Sequence, residues 1–214
     1  MTGIVFEPAT PENSAEVREF MLNYFYAFEP TNLAYIYGKE PATEDVDFSI
    51  KFLDVGLGVK AVTDDGQMVG LSLGYIGDED DAVALRETAD RSSDRKFSDI
   101  MRFLAFVQNG SNIRERYGIN AVYEIQLVAV HTDFRGKSIA TGLIRSQIQI
   151  AKERGFEGVY VDCSSIYTAK IMEKLGFECV HEIDFADYRT EKGERIFKPA
   201  DEIHTGLKSY FKRI

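Results

Sequence analysis

Residues 130–143 read VHTDFRGKSIATGL, and this short stretch joins two different periodicities. Before it, AVYEIQLVAV (121–130) has the β-branched density of a strand. After it, SIATGLIRSQIQIAKERG (138–155) repeats apolar residues at helical spacing and ends on Gly155, a suitable C-cap. A polar loop therefore carries a strand into a helix that begins near Ser138. Backbone N–H groups at a helix start, with the helix dipole behind them, suit an anion such as a pyrophosphate. Gly136 lets the backbone approach a phosphate without a Cβ in the way, and Arg135 and Lys137 add positive charge. An ordinary basic strand-to-helix loop would use the same residues.

The regular alternation continues downstream. GVYVDC (158–163) reads as a buried strand and IYTAKIMEKLG (166–176) as a helix closing at Gly176. FECVHEIDF (177–185), ERIFKP (194–199) and HTGLKSYFKRI (204–214) read as three further strands. Upstream, GIVFEPAT (3–10) is strand-like, and a helix with Val17, Phe20, Met21, Tyr24, Phe25 and Phe28 on one face runs towards Pro30, which stops it. A second helix covers 43–55. GVKAVTDDGQMVGLSLGYI (58–76) reads as a hairpin about an Asp-Gly turn. The charge-rich residues 78–96 read as an exposed excursion, a loop or a lid, and a long helix spans Phe97 to Tyr117. Strand–helix–strand order implies parallel pairing and the hairpin implies antiparallel pairing. The expectation is a single α/β domain over residues 1–214, with a mixed central β-sheet flanked by helices.

Composition narrows the function classes. The 214 residues carry 25 Lys and Arg against 35 Asp and Glu, a net charge of -10, which disfavours nucleic acid and anionic membranes as partners and suits a cationic small molecule. Two cysteines and three scattered histidines offer neither a disulfide framework nor a metal cluster, so no metal is expected. The first residues lack a basic segment followed by an apolar core, and no apolar run reaches the ~20 residues of a membrane span, so a cytoplasmic protein is expected.

Two more stretches carry chemistry. In VDCSSIYTAKIMEKLGF (161–177) a strand enters a Cys-Ser-Ser turn and then a helix; Ser164 or Ser165 fits an N-cap, and the same hydroxyls fit a catalytic role. Cys163 as a nucleophile would need a base, and no histidine is near it in sequence. In YFYAFEPTN (24–32) a lone carboxylate, Glu29, follows an aromatic cluster and precedes Pro30. It is either a charge at a helix end or a base beside an aromatic wall.

Taken together, these stretches resemble the GCN5-related N-acetyltransferase superfamily, whose acetyl-CoA loop has the pattern Arg/Gln-x-x-Gly-x-Gly/Ala. Arg135-Gly136-Lys137-Ser138-Ile139-Ala140 matches it with Ser138 in place of the first glycine of that pattern's second half, and EKLGF (173–177) matches the exit of the following helix. FEPTN (28–32), HTDFRGKSIATGL (131–143), CSSIYTAKIMEKLGF (163–177), FADY (185–188) and FKPA (197–200), in that order, are similar to the insect-type arylalkylamine N-acetyltransferases. The resemblance implies acetyl transfer from acetyl-CoA to dopamine, serotonin, octopamine or tyramine. It implies Glu29 as general base, with Ser164 and Thr168 as hydroxyls that serve the departing thiolate; Met172 stands where many superfamily members have a tyrosine. Val128, Ala129, Val130 and the loop Arg135, Gly136, Lys137, Ser138, Ile139, Ala140 and Thr141 would hold acetyl-CoA, while Tyr24, Phe25, Tyr26 and Phe28 would line the amine pocket. Polyamines, agmatine or longer acyl-CoA donors are alternatives within that class, and a non-catalytic acyl-CoA-binding protein is the alternative from another class.

Overall fold

The computed structural model describes residues 3–77 and 81–214. It contains one seven-stranded mixed sheet. The strands are β1 (Ile4–Ala9), β2 (Gly58–Thr63), β3 (Met68–Gly77), β4 (Val122–Val130), β5 (Gly158–Cys163), β6 (Glu178–Asp184) and β7 (Gly206–Arg213), in the spatial order β1-β2-β3-β4-β5-β7-β6. Pairing is antiparallel from β1 to β4, parallel between β4 and β5, and antiparallel again through β7 to β6. The Asp65-Gly66 turn closes the β2–β3 hairpin, with Gly66 at φ 86° and its N–H donated to Thr63 O.

Helices cover both faces. Against one face lie α1 (Ser14–Met21), α2 (Pro30–Ala34), α3 (Thr43–Ile50), α4 (Asp81–Arg91), α5 (Arg95–Ser111) and α6 (Ile113–Tyr117), burying Leu71, Leu73, Leu127 and Ala129 of the sheet against Val17, Phe20, Met21 and Val46. Against the other lie α7 (Ile139–Glu153) and α8 (Ile166–Lys174), which bury Tyr123, Ile125, Val159 and Val161 beneath Ile144, Ala151 and Met172. Gln147 of α7 is wholly buried and bonds the sheet through Leu57 O, Ser72 O and Ser72 Oγ, each at 3.1 Å. A buried amide so fully paired ties α7 to one register.

Several elements differ from what the pattern suggests. Residues 81–91 form a helix whose Ala89 is buried in the core between it and α5; its apolar stripe is too thin to stand out among the charges. Residues 78–80 of that excursion lie outside the described residues. The helix expected over 97–117 is two helices, because Asn112 adopts a left-handed conformation (φ 42°) between them. ERIFKP (194–199) is not a strand: only Phe197 bridges, to Tyr35, and its ring is driven into the core against Phe103 and Phe185. The first helix widens after Met21 into a π-helical turn, Leu22–Tyr26, and Pro30 begins a helix instead of only ending one.

Candidate active site

The parallel pairing of β4 and β5 covers only Val122–Glu124 against Gly158–Tyr160. Beyond it the strands part, and among the described residues the β5 side of β4 from Ile125 to Val130 has no strand partner, while β3 pairs its other edge. An open edge of this kind can pair with an extended amide-bearing chain as a further strand. Val128, Ala129 and Val130 lie on it, opposite Ser72, Leu71 and Gly70 of β3.

At the end of β4, His131 caps a short turn, Thr132–Phe134, by accepting the Asp133 N–H at its Nδ1. Gly136 follows at φ 77° and Ser138 at φ 62°, both left-handed. Glycine adopts that conformation freely, whereas a serine does so at a cost of roughly 1–2 kcal/mol. Ser138 therefore holds a backbone conformation that suits a glycine better than a serine. Its hydroxyl does not cap α7. The first backbone bond of α7 runs from the Gly142 N–H to Ser138 O, so the N–H groups of Ile139, Ala140 and Thr141 precede it at the positive end of a helix of 15 residues. The Ile139 side chain is core, packed with Leu143, Val59 and Val69, so only its backbone is available to a ligand. Arg135, Gly136, Lys137 and Ser138 are exposed. This concentration of donors and positive charge fits the pyrophosphate of a coenzyme.

Across the cleft, Glu29 is the N-cap of α2. Its Oε1 accepts the Thr31 N–H at 2.8 Å and its Oε2 the Asn32 N–H at 2.5 Å. The Ser164 hydroxyl, 135 residues away at the end of β5, donates to Oε1 at 2.7 Å. Ser165 is the N-cap of α8 and accepts from the Tyr167 N–H, so the two serines divide the capping and site roles between them. Thr168 lies in the first turn of α8, half-buried, with no hydrogen bond to Glu29 or Ser164. Cys163 is buried and burial pushes its thiol well up, which removes the thiolate a nucleophile requires. Met172 is core.

The four aromatics divide. Tyr26 is 3 % exposed and packs in the core with its hydroxyl 3.2 Å from Ser49 Oγ. Phe25 is half-buried against it, ring centroids 5.1 Å apart. Tyr24 stacks on His131 at 4.3 Å, and Phe28 lies beneath the Arg135 guanidinium at 4.4 Å. Two of the four thus touch the loop at 131–137, a consequence of the π-turn that no linear spacing announces. A second carboxylate, Asp45 of α3, stands close by: burial raises it to about 7, the charge of Glu29 adds to the shift, and a hydrogen bond from Tyr26 opposes it. Asn32 shares the FEPTN stretch with Glu29, but Asp45, Lys96 and His131 carry no signal in the sequence that links them to it. Among the described residues no group of three or more His, Cys, Asp or Glu side chains could hold a metal ion.

Known proteins share this fold. The chain is similar to the mosquito arylalkylamine N-acetyltransferase like 5b, at 30% identity and a TM-score of 0.95, with 99% of this chain and 100% of that one covered. It is also similar to arylalkylamine N-acetyltransferase 2 from Aedes aegypti, at 28% identity and a TM-score of 0.89 over 99% of each. A Drosophila melanogaster polyamine N-acetyltransferase that forms N-acetylagmatine shares the fold at 20% identity and a TM-score of 0.92, with 99% and 100% covered. Residues 19–177 match the acetyltransferase (GNAT) family, and the chain belongs to that family, whose enzymes take acetyl-CoA as their acyl donor.

Proposed function

We propose that the chain acetylates the primary amine of arylalkylamines such as dopamine, serotonin, octopamine or tyramine, with Glu29 as general base. The observation that carries this is the 2.7 Å hydrogen bond from Ser164 to Glu29. An ammonium must lose a proton before its nitrogen attacks the thioester, and the departing thiolate must gain one. A carboxylate offers about four lone-pair sites, and Thr31, Asn32 and Ser164 occupy three on Glu29. The remaining site accepts the amine proton. Ser164 then gives its hydroxyl proton to the thiolate and recovers one from Glu29, so the pair moves one proton from nucleophile to leaving group, and the second proton lost by the nitrogen on forming the amide leaves to solvent. Thr168, one turn further on, is a second hydroxyl within the same helix start.

Acetyl-CoA would be held by the open edge at Val128–Val130 and by the backbone at Arg135–Thr141, with Arg135 and Lys137 on its phosphates. Tyr24 and Phe25 would supply an aromatic wall near Glu29, whereas Tyr26 belongs to the core and Phe28 lies beneath Arg135 on the coenzyme side. The similarity to mosquito arylalkylamine N-acetyltransferases supports the aromatic substrate class. The net charge of -10 favours a second substrate class of the same chemistry, polyamines or agmatine. Two free cysteines suit a cytoplasmic site of action. The test is thiol release from acetyl-CoA against a panel of arylalkylamines, putrescine, spermidine and agmatine. Turnover with an arylalkylamine is expected to exceed the rest. Preference for a polyamine overturns the substrate, and coenzyme binding without release across the panel makes the protein an acyl-CoA-binding one.

A further inference from the structure

Glu29 sits at the start of a helix of five residues. Isolated helices shorter than about 12–15 residues are marginal in water, so α2 takes its place from what anchors it. Its C-terminal end is tied by the Lys198 N–H to Ala34 O and the Ile36 N–H to Ile196 O. At its N-terminal end, Asn32 is 3 % exposed, and both hydrogens of its amide are used: Nδ2 donates to Tyr26 O at 2.9 Å and to Lys39 O at 2.7 Å. Lys96, near the start of α5, buries its ammonium against the carbonyls on either side of Lys39, donating to Gly38 O and Glu40 O at 2.8 Å each. Three successive carbonyls of one loop are therefore held by two side chains from distant parts of the chain.

A buried ammonium is costly without compensation. Here Asp45, Glu29, Asp94 and Glu40 attract it, and its ring neighbour Tyr35 lies at 5.5 Å. Building such a site merely to close a loop would be wasteful, since an apolar side chain could fill the space. What the arrangement holds still is the α2 N-terminus: the same Asn32 whose side chain is clamped gives its own N–H to Glu29 Oε2. We propose that Asn32 and Lys96 are positioning residues, which brace the 38–40 loop and α2 so that the Glu29 carboxylate keeps its orientation towards Ser164 and the amine. This rests on Glu29 being the base.

The test compares steady-state kinetics of Asn32→Ala, Lys96→Met and Lys96→Arg with Glu29→Gln, using acetyl-CoA and tyramine. A displacement of about 1 Å at a reacting group can cost 10²-fold, so kcat is expected to fall roughly 10- to 100-fold in the first two variants, with the KM for acetyl-CoA unchanged. Lys96→Arg, whose guanidinium can also donate to two carbonyls, recovers most of the rate. The loss narrows as pH rises towards the pKa of the amine, where the nucleophile arrives already deprotonated. Asn32→Ala combined with Glu29→Gln is no slower than Glu29→Gln alone. A loss that is independent of pH, or that multiplies with Glu29→Gln, overturns the brace and leaves the two residues merely structural. Should Asn32→Ala not fold, the two Lys96 variants decide alone. If Glu29→Gln keeps the parent rate, the assignment of the base fails first, and the brace with it.

Discussion

Ser164 Oγ donates a 2.7 Å hydrogen bond to Glu29 Oε1, joining the end of β5 to the N-cap of α2 across 135 residues. General acid–base catalysis is worth typically 10²–10⁴-fold. Glu29→Gln is expected to lower kcat/KM by about that factor near neutral pH, and the deficit shrinks in alkaline buffer as free amine accumulates. Ser164→Ala is expected to cost at least about 10-fold, and the two changes together cost less than the product of each alone, because they remove one proton path. Initial rates of thiol release over a pH series measure all three.

Phe28 distinguishes a coenzyme contact from a substrate contact. Its ring lies 4.4 Å beneath the Arg135 guanidinium, and an exposed cation–π pair is worth about 0.5–1 kcal/mol. Phe28→Leu should therefore raise the KM for acetyl-CoA about two- to five-fold and leave amine selectivity unaltered. A change confined to the amine KM would return Phe28 to the substrate pocket.

Ser138 bears a left-handed conformation at φ 62° without a capping bond in return. Ser138→Gly removes a strain of roughly 1–2 kcal/mol and adds part of it back as unfolded-chain entropy, for a net gain of about 0.5–1 kcal/mol. Urea denaturation of the two proteins checks this, with coenzyme affinity expected to stay the same because the backbone is unchanged.

Buried acids are expected to make the stability of the fold depend on pH. Burial raises Asp45 to about 7, and it raises Asp162 to about 6 against hydrogen bonds from Ser209 and Tyr160. Between about pH 4 and those values the folded chain keeps protons that the unfolded chain releases, so stability falls as pH rises through this window. The melting temperature is expected to decline from about pH 4 to pH 7. Asp45→Asn should flatten that slope and raise Tm at pH 8 by roughly 2–4 °C, about 1 kcal/mol for a chain of this size, with no gain at pH 4.

Much of the architecture is written in local pattern. The strand-to-helix loop at 130–143, the Asp-Gly hairpin and the helix closing at Gly176 all depend on neighbours within a few residues, and each appears where its spacing places it. The helix at 81–91 and the failed strand at 194–199 were settled by packing instead: Ala89 and Phe197 are drawn into one core cluster with Phe97, Ile100, Met101, Phe103 and Val107 of α5.

The candidate site divides along the same line. Glu29, Ser164 and the Arg135–Thr141 loop could be named from motifs alone, since each motif is contiguous. Their relation could not. That Ser164 meets Glu29, that Phe28 lies under Arg135, and that Lys96 and Asn32 hold one loop between them are contacts between segments 56 to 135 residues apart in some cases and only seven in others. Sequence spacing decides what a strand or helix presents on its faces; which faces meet, and at what distance, follows from the packing of the whole sheet, and the chemistry of a proton path depends on that distance.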